Sequence, residues 1–552
     1  MEDKRLENRK KFFDPVVDKR SEREKFMVSL RKKHKQEMFM KKRQLYYQQS
    51  INQTPQTSTS SDMEKDDDTI NFVSFRESMV NIDSRLYSDS ISIADTICIL
   101  KENLLSENMT DNFYIMNLSY LRRMIGDDPE NVIPVFYEES FMNVVFEFMM
   151  KTLDNRRYVT EITWILSGLF STEELKIATH FADSKYKVMS YVHDVLEKYQ
   201  TDSCIVSNLI YLCSNYAFEP TIRDDIFYTN FIAVLKEIGT REHVQNVMAA
   251  NIVWCMTWFT SKKIPQNFTT IFLEIASYLI YHKDLKVVKD VLIFIKEIGD
   301  RNDDIGFDWN QYGLIDKISS LVLDGSEQPD LREKYNIKTN CLHALCAISY
   351  TNDAGTISDL LENGILDTLM NACEEDENEN LQKILFIISN IAVTGKLYAL
   401  EVYKSTIFGH AFDCISLEDT DFSVMQEAIN LIITVFQRVP EEIKVEILEQ
   451  DEKFLNPIVD LIPRASSEKL KVNILEALEN MFEIWQQRSA KEFSHGLSPD
   501  RSMLDNFIDS FTNAGGPEII DALLNDENRD VMNHWCNIAK FLEVEMAEVR
   551  EM

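Results

Sequence analysis

From residue 71 onward, apolar segments of helical period alternate with short polar breaks, and one kind of segment recurs. Its copies are EITWILSGLF (161–170), NLIYLCSNYA (208–217), NIVWCMTWFT (251–260), DVLIFIKEIG (290–299), CLHALCAISY (341–350), KILFIISNIA (383–392) and EAINLIITVF (427–436), with a last variant, ILEALENMFEIW, at 474–485. Taking Trp164, Tyr211, Trp254, Phe294, His343, Phe386 and Asn430 as equivalent positions, the intervals are 47, 43, 40, 49, 43 and 44 residues. Each unit of that length holds a few helices that cannot bury their apolar faces alone. Stacked neighbours can bury them in one continuous core, so the pattern predicts a solenoid of helices. Trp309 falls outside the equivalent positions.

Composition agrees with long helices. The 552 residues include only 14 Gly and 12 Pro, too few for a chain built from many tight β-turns. No uninterrupted apolar run reaches the roughly 18 residues of a membrane helix, and the opening MEDKRLENRKKFFD lacks the apolar core of a secretory signal. The nine cysteines are scattered without a CxxC pair and read as reduced thiols of an intracellular protein.

Charge divides the chain. Residues 1–50 hold 16 Lys and Arg against 8 Asp and Glu, whereas the whole chain has 58 against 91 and a formal net charge of −33. A basic arm therefore precedes a strongly acidic body, which should repel nucleic acid and attract basic ligands. Between them, Tyr47–Asp68 (YQQSINQTPQTSTSSDMEKDDD) has almost no large apolar group with which to offset its ordering entropy, and is expected to be a flexible linker. Ser21–Leu45 contains no Gly or Pro, and Ser21 with Glu24 fits a capping box. Met27, Leu30 and Met38 form a narrow stripe among basic residues, suited to a helix that orders against an acidic partner. A solvated basic tail with loose nucleic-acid affinity fits the composition equally well.

The arm also carries a more specific pattern. Arg5-Leu6, Phe12-Phe13, Arg20, Arg23, Val28, Leu30-Arg31-Lys32, Lys35 and Lys41-Lys42-Arg43 closely resemble, in order and spacing, the importin-β-binding domain of importin-α. Lys42 stands where that family usually has Arg. The resemblance implies importin-β contact through Arg5, Arg20, Arg23, Leu30, Arg31, Lys32, Lys35, Lys41, Lys42 and Arg43, and autoinhibition by Lys41-Lys42-Arg43.

The recurrent segments resemble the third helices of importin-α armadillo repeats, in which Trp is followed four residues later by Asn. Residues i and i+4 share a helix face, so stacked repeats would align indoles and amides in rows. The amides would grip a peptide main chain, and the indoles would flank the stems of Lys and Arg. The resemblance implies a major peptide site of Trp164, Tyr211, Asn215, Glu219, Trp254 and Trp258, and a minor site of His343, Phe386, Asn390 and Glu427. The pattern is kept in part: Gly168, Trp258 and Ala347 occupy amide positions, and Asn430 and Thr434 replace a Trp–Asn pair. From spacing alone an aromatic residue in such a segment is more often core.

GGPEIIDALLNDENRDVMNHW (515–535) resembles the last importin-α repeat, where the family contacts a recycling exportin. The implied fold is an all-α, armadillo-repeat right-handed superhelix preceded by a flexible basic arm. Its expected parts are the arm (1–46), linker (47–71), armadillo repeats (72–495), terminal repeat (496–545) and tail (546–552). The implied function is a nuclear import adaptor that holds basic localisation signals and links cargo to importin-β, shuttling between cytoplasm and nucleus. The alternative is an armadillo scaffold with altered or lost signal selectivity. No HExxH, phosphate loop, GxGxxG or GxSxG is present, so neither catalysis, a metal nor a cofactor is expected. Direct nucleic-acid binding and membrane insertion are not expected either.

Overall fold

The computed structural model describes residues 84–87 and, with breaks, 91–551; the longest breaks are 171–187 and 495–502. The basic arm, the linker, Glu219 and the acidic run 374–377 lie outside the described residues. Every regular element among the described residues is helical. None of these helices is long and apolar enough to cross a membrane. They fall into two compact units, one ending at Tyr278 and the other starting at Leu279.

In the first unit four helices pack in series: α1 (Asp111–Asp127), α2 (Arg156–Leu169), α3 (Ser203–Tyr216) and α4 (Asn246–Phe259). The second unit continues the same construction with α5 (Leu285–Arg301), α6 (Ile337–Ser349), α7 (Asn378–Val393), α8 (Phe422–Arg438), α9 (Glu468–Ser494) and α10 (Arg529–Glu551), each packed on the next. All eight recurrent segments lie on these helices. A second layer runs alongside in the second unit, where Leu314–Leu323, Ile365–Cys373, Thr406–Ser416, Asp451–Leu461 and Met503–Asn513 also pack in order. In the first unit Val188–Tyr199 and Phe231–Gly239 take that place, backing α3 and α4.

Local sequence sets the helix ends. Asn155 caps α2 by accepting from the Arg157 N–H. Asp202 caps α3, its Oδ1 accepting from the Cys204 and Ile205 N–H groups at 3.1 Å each, and Asp421 caps α8 through Ser423. Such side chains satisfy donors that have no partner within the helix. Where a helix is sandwiched between layers and neighbours, its body is apolar on nearly every side, as in α4. In α4 only Asn246, Val247, Ala250 and Trp254 escape full burial.

The structure extends the sequence reading at both ends. α1 opens the series and keeps the period, with Tyr120 44 residues before Trp164; Ile115, Leu118, Leu121 and Ile125 supply its core stripe. The stretch expected as a tail, 546–552, is helical through Glu551, as a sequence without Gly or Pro permits.

Candidate peptide-binding face

The series α2–α3–α4 brings together the described members of the predicted major site. Trp164, Tyr211 and Trp254 occupy matching positions on consecutive packed helices. Trp164 is 9% exposed and Tyr211 4%, while Trp254 is half-buried. Trp258 is 2% exposed and meets the Trp254 ring edge-on, with centroids 5.4 Å apart and planes at 77°. Such an arrangement suits the opposed charge of ring face and ring edge, and it fixes the orientation of the Trp254 indole. Trp258 thus serves chiefly as the buried backing of Trp254.

The amides of this row bind the neighbouring helix. Asn215 Nδ2 donates to the Ser167 carbonyl at 3.2 Å, and Asn208 Nδ2 to Thr163 Oγ1 at 3.4 Å. Ser167 Oγ donates back to the Asn208 carbonyl at 3.1 Å, while Asn251 Nδ2 donates to Ser207 Oγ at 2.8 Å. Buried polar groups need such partners, so these residues act as struts between α2, α3 and α4. The absent amide at position 168 also has a structural cause. A Cβ there would lie 2.6 Å from Ile125 Cγ2 of α1, closer than packed carbons approach.

Carboxylates on this face already have cationic partners. Glu161, one turn before Trp164, accepts from Arg122 Nε of α1 at 2.7 Å, with both side chains largely buried. Arg156 of α2 pairs with Asp202 at the start of α3. Arg157 donates to Asn112 at 2.9 Å.

In the second unit, α6, α7 and α8 carry the predicted minor-site residues. His343 is half-buried, Phe386 is 7% exposed, and Asn390 and Glu427 are fully buried. Asn390 Nδ2 donates to Ser349 Oγ of α6 at 3.1 Å, repeating the strut seen in the first unit. Asn430 Nδ2 donates to Glu427 Oε2 at 3.3 Å. Ala347 stands where α5 and α6 come closest: a Cβ added at Gly299 would lie 2.9 Å from the Ala347 Cβ.

A band of ionisable groups crosses this second stack. Lys296 bridges Glu297 and Asp300 of α5 at 3.3 Å each. Burial opposes the Lys296 charge, but Asp300 and Glu297 outweigh it and hold the ammonium above its usual range. Burial, reinforced by Asp300 and Glu427, pushes the Cys346 thiol well above the ordinary thiol range; Lys383 and Lys296 act in the opposite sense. Cys346 is therefore a protonated, unreactive group. Across the described residues the one grouping with metal-like spacing is His193, Asp194 and Glu197, solvated neighbours on a single helix.

No protein-family model matches the chain, and no curated protein matches it. Solved structures do. An engineered protein superposes with a TM-score of 0.62 at 14% identity, covering 81% of this chain and 99% of that one. A chain from a study of a conserved phosphorylation switch controlling the interaction between cadherin and beta-catenin superposes at 0.55, with 11% identity and coverage of 82% and 83%. A designed armadillo repeat protein in complex with the peptide (KR)4 aligns over 49% of this chain and 98% of that one, with 16% identity and a TM-score of 0.37. At these identities the likeness is one of fold, and together with the serial packing of α1–α4 in one unit and of α5–α10 in the other it makes this chain an all-α solenoid of the armadillo-repeat class.

Proposed function

We propose that the chain is a nuclear import adaptor: its basic arm engages importin-β, and its stacked helices hold basic localisation signals. The observation that carries this reading is the alignment of Trp164, Tyr211 and Trp254 on three consecutive packed helices, in a chain whose first 50 residues are basic and whose remainder is acidic. The half-buried Trp254 indole, with the more deeply set Trp164 and Tyr211 rings on the adjoining helices, offers a surface for aliphatic lysine and arginine stems, with a cation–π contribution. The order of basic residues in the arm supports the importin-β half, and the last repeat is the proposed meeting point with a recycling exportin.

In the free protein, Lys41-Lys42-Arg43 occupies the peptide face, and importin-β draws the arm away. The test is titration of the full chain with a fluorescent bipartite Lys/Arg peptide and with a scrambled peptide of equal charge. Order-dependent binding that tightens severalfold on replacing Lys41, Lys42 and Arg43 with alanine is the expected result. Binding indifferent to order would remove the adaptor reading, and binding unchanged by the triple replacement would remove autoinhibition.

A second reading, a scaffold of the same fold with altered ligand choice, is favoured by one observation: Asn215 and Asn390 donate to neighbouring helices. Cargo-dependent recruitment of importin-β separates the two, since a scaffold has no need to couple them.

A further inference from the structure

The start of the aromatic row is not acidic. In a chain of formal charge −33, α1 and α2 carry Arg122, Arg123, Arg156 and Arg157 against Asp111, Asp127 and Glu161. Glu161 is one turn from Trp164 on the same helix, so it is the carboxylate placed to meet the head of a cation whose stem lies along that indole. It is occupied: Arg122 Nε donates to Glu161 Oε2 at 2.7 Å, and Arg122 Nη2 to Ser119 Oγ at 3.3 Å. The two side chains retain only 17% and 16% of their exposure. A guanidinium held at two points and largely removed from water is not readily displaced by a peptide cation that must first be desolvated.

We propose that Arg122 is a specificity-determining residue: it fills, from within the chain, the cation position that Glu161 would otherwise offer to a bound basic peptide beside Trp164. This rests on the reading of the face as a basic-peptide site. Cationic side chains would then engage the Tyr211 and Trp254 end of the row, while the Trp164 end accepts neutral or acidic residues. The exposed Arg123 and Arg157 on the same two helices act in the same direction. The preferred ligand is a basic segment whose run of charge stops short of the Trp164 end.

Titration of the full chain with a fluorescent Lys/Arg peptide, at low and high salt, tests the assignment. Arg122→Met should tighten binding about fivefold at low salt, with the gain shrinking as salt rises. Arg122→Lys should stay near the parent, and Arg122→Met combined with Glu161→Gln should lose the gain. Arg122→Gln, which keeps a polar group near Ser119, should show the same gain and is the second variant should Arg122→Met fold poorly, as judged by helical circular dichroism. A folded Arg122→Met or Arg122→Gln without tighter binding overturns the proposal. A parent chain that ignores peptide order while Arg122→Met still gains affinity sinks the signal-reading site but sustains the internal cation. Absence of binding throughout overturns both.

Discussion

Asn215 and Asn390 lie on different helices in different units, yet each donates its amide hydrogen to the preceding helix of its own stack. At the residue scale this makes them structural before they are anything else. Asn215→Ala should lower unfolding free energy by about 1 kcal/mol, the net worth of one hydrogen bond, read from the denaturation midpoint. A substitution acting purely on ligand binding would leave that midpoint in place. Thiol chemistry offers a second residue-scale check. Cys98, Cys204 and Cys536 are exposed, whereas Cys213 and Cys255 are fully buried. Burial raises the Cys255 thiol to about 12 despite a hydrogen bond with Ser214 that favours the thiolate. At pH 8 the three exposed cysteines should react with an aromatic disulfide reagent, while Cys213 and Cys255 become reactive only on denaturation. Fast labelling of either buried thiol in the native protein would contradict the packing of α3 on α4.

Among elements, the contacts of α2 with α1 and of α5 with α6 explain two missing amides. Asparagine at 168 would drive its Cβ into Ile125, and a larger side chain at 347 would press on the helix bearing Gly299. Gly168→Asn should therefore destabilise by about 1–3 kcal/mol, as overpacking does, without strengthening peptide binding. A tighter, equally stable variant would show that the helices separate more easily than their packing implies. The recurrent segments were legible in the sequence because buried helix faces repeat every few residues, and a period of 40 to 49 residues admits few architectures. α1 escaped that reading because Ser119, Arg122 and Arg123 interrupt its apolar run, although Tyr120 keeps the period 44 residues before Trp164. The Asn215–Ser167 bond was invisible for a different reason: its partners are 48 residues apart, and the acceptor is a main-chain carbonyl that no side-chain pattern marks. Arg122 and Glu161, 39 residues apart, were likewise unremarkable until α1 lay against α2.

For the whole molecule, net charge sets how ligands arrive. A chain of −33 should draw a cationic peptide in, so association should slow by about an order of magnitude between low and moderately high salt, with dissociation changing less. Stopped-flow rates at several ionic strengths would check this, and a salt-insensitive association rate would mean that the aromatic row alone governs encounter. The struts carry another implication. Asn208, Asn215, Asn251 and Asn390 each find an acceptor on the helix before their own, and the acceptors differ: a threonine hydroxyl, a main-chain carbonyl and two serine hydroxyls. Adjacent helices are thus stitched by buried amides as well as by apolar burial, and loss of one such bond leaves its partner helix with an unmet acceptor at that seam alone. Damage to a strut should therefore loosen one junction first, and hydrogen exchange would rise in the two helices that share it before it rises elsewhere.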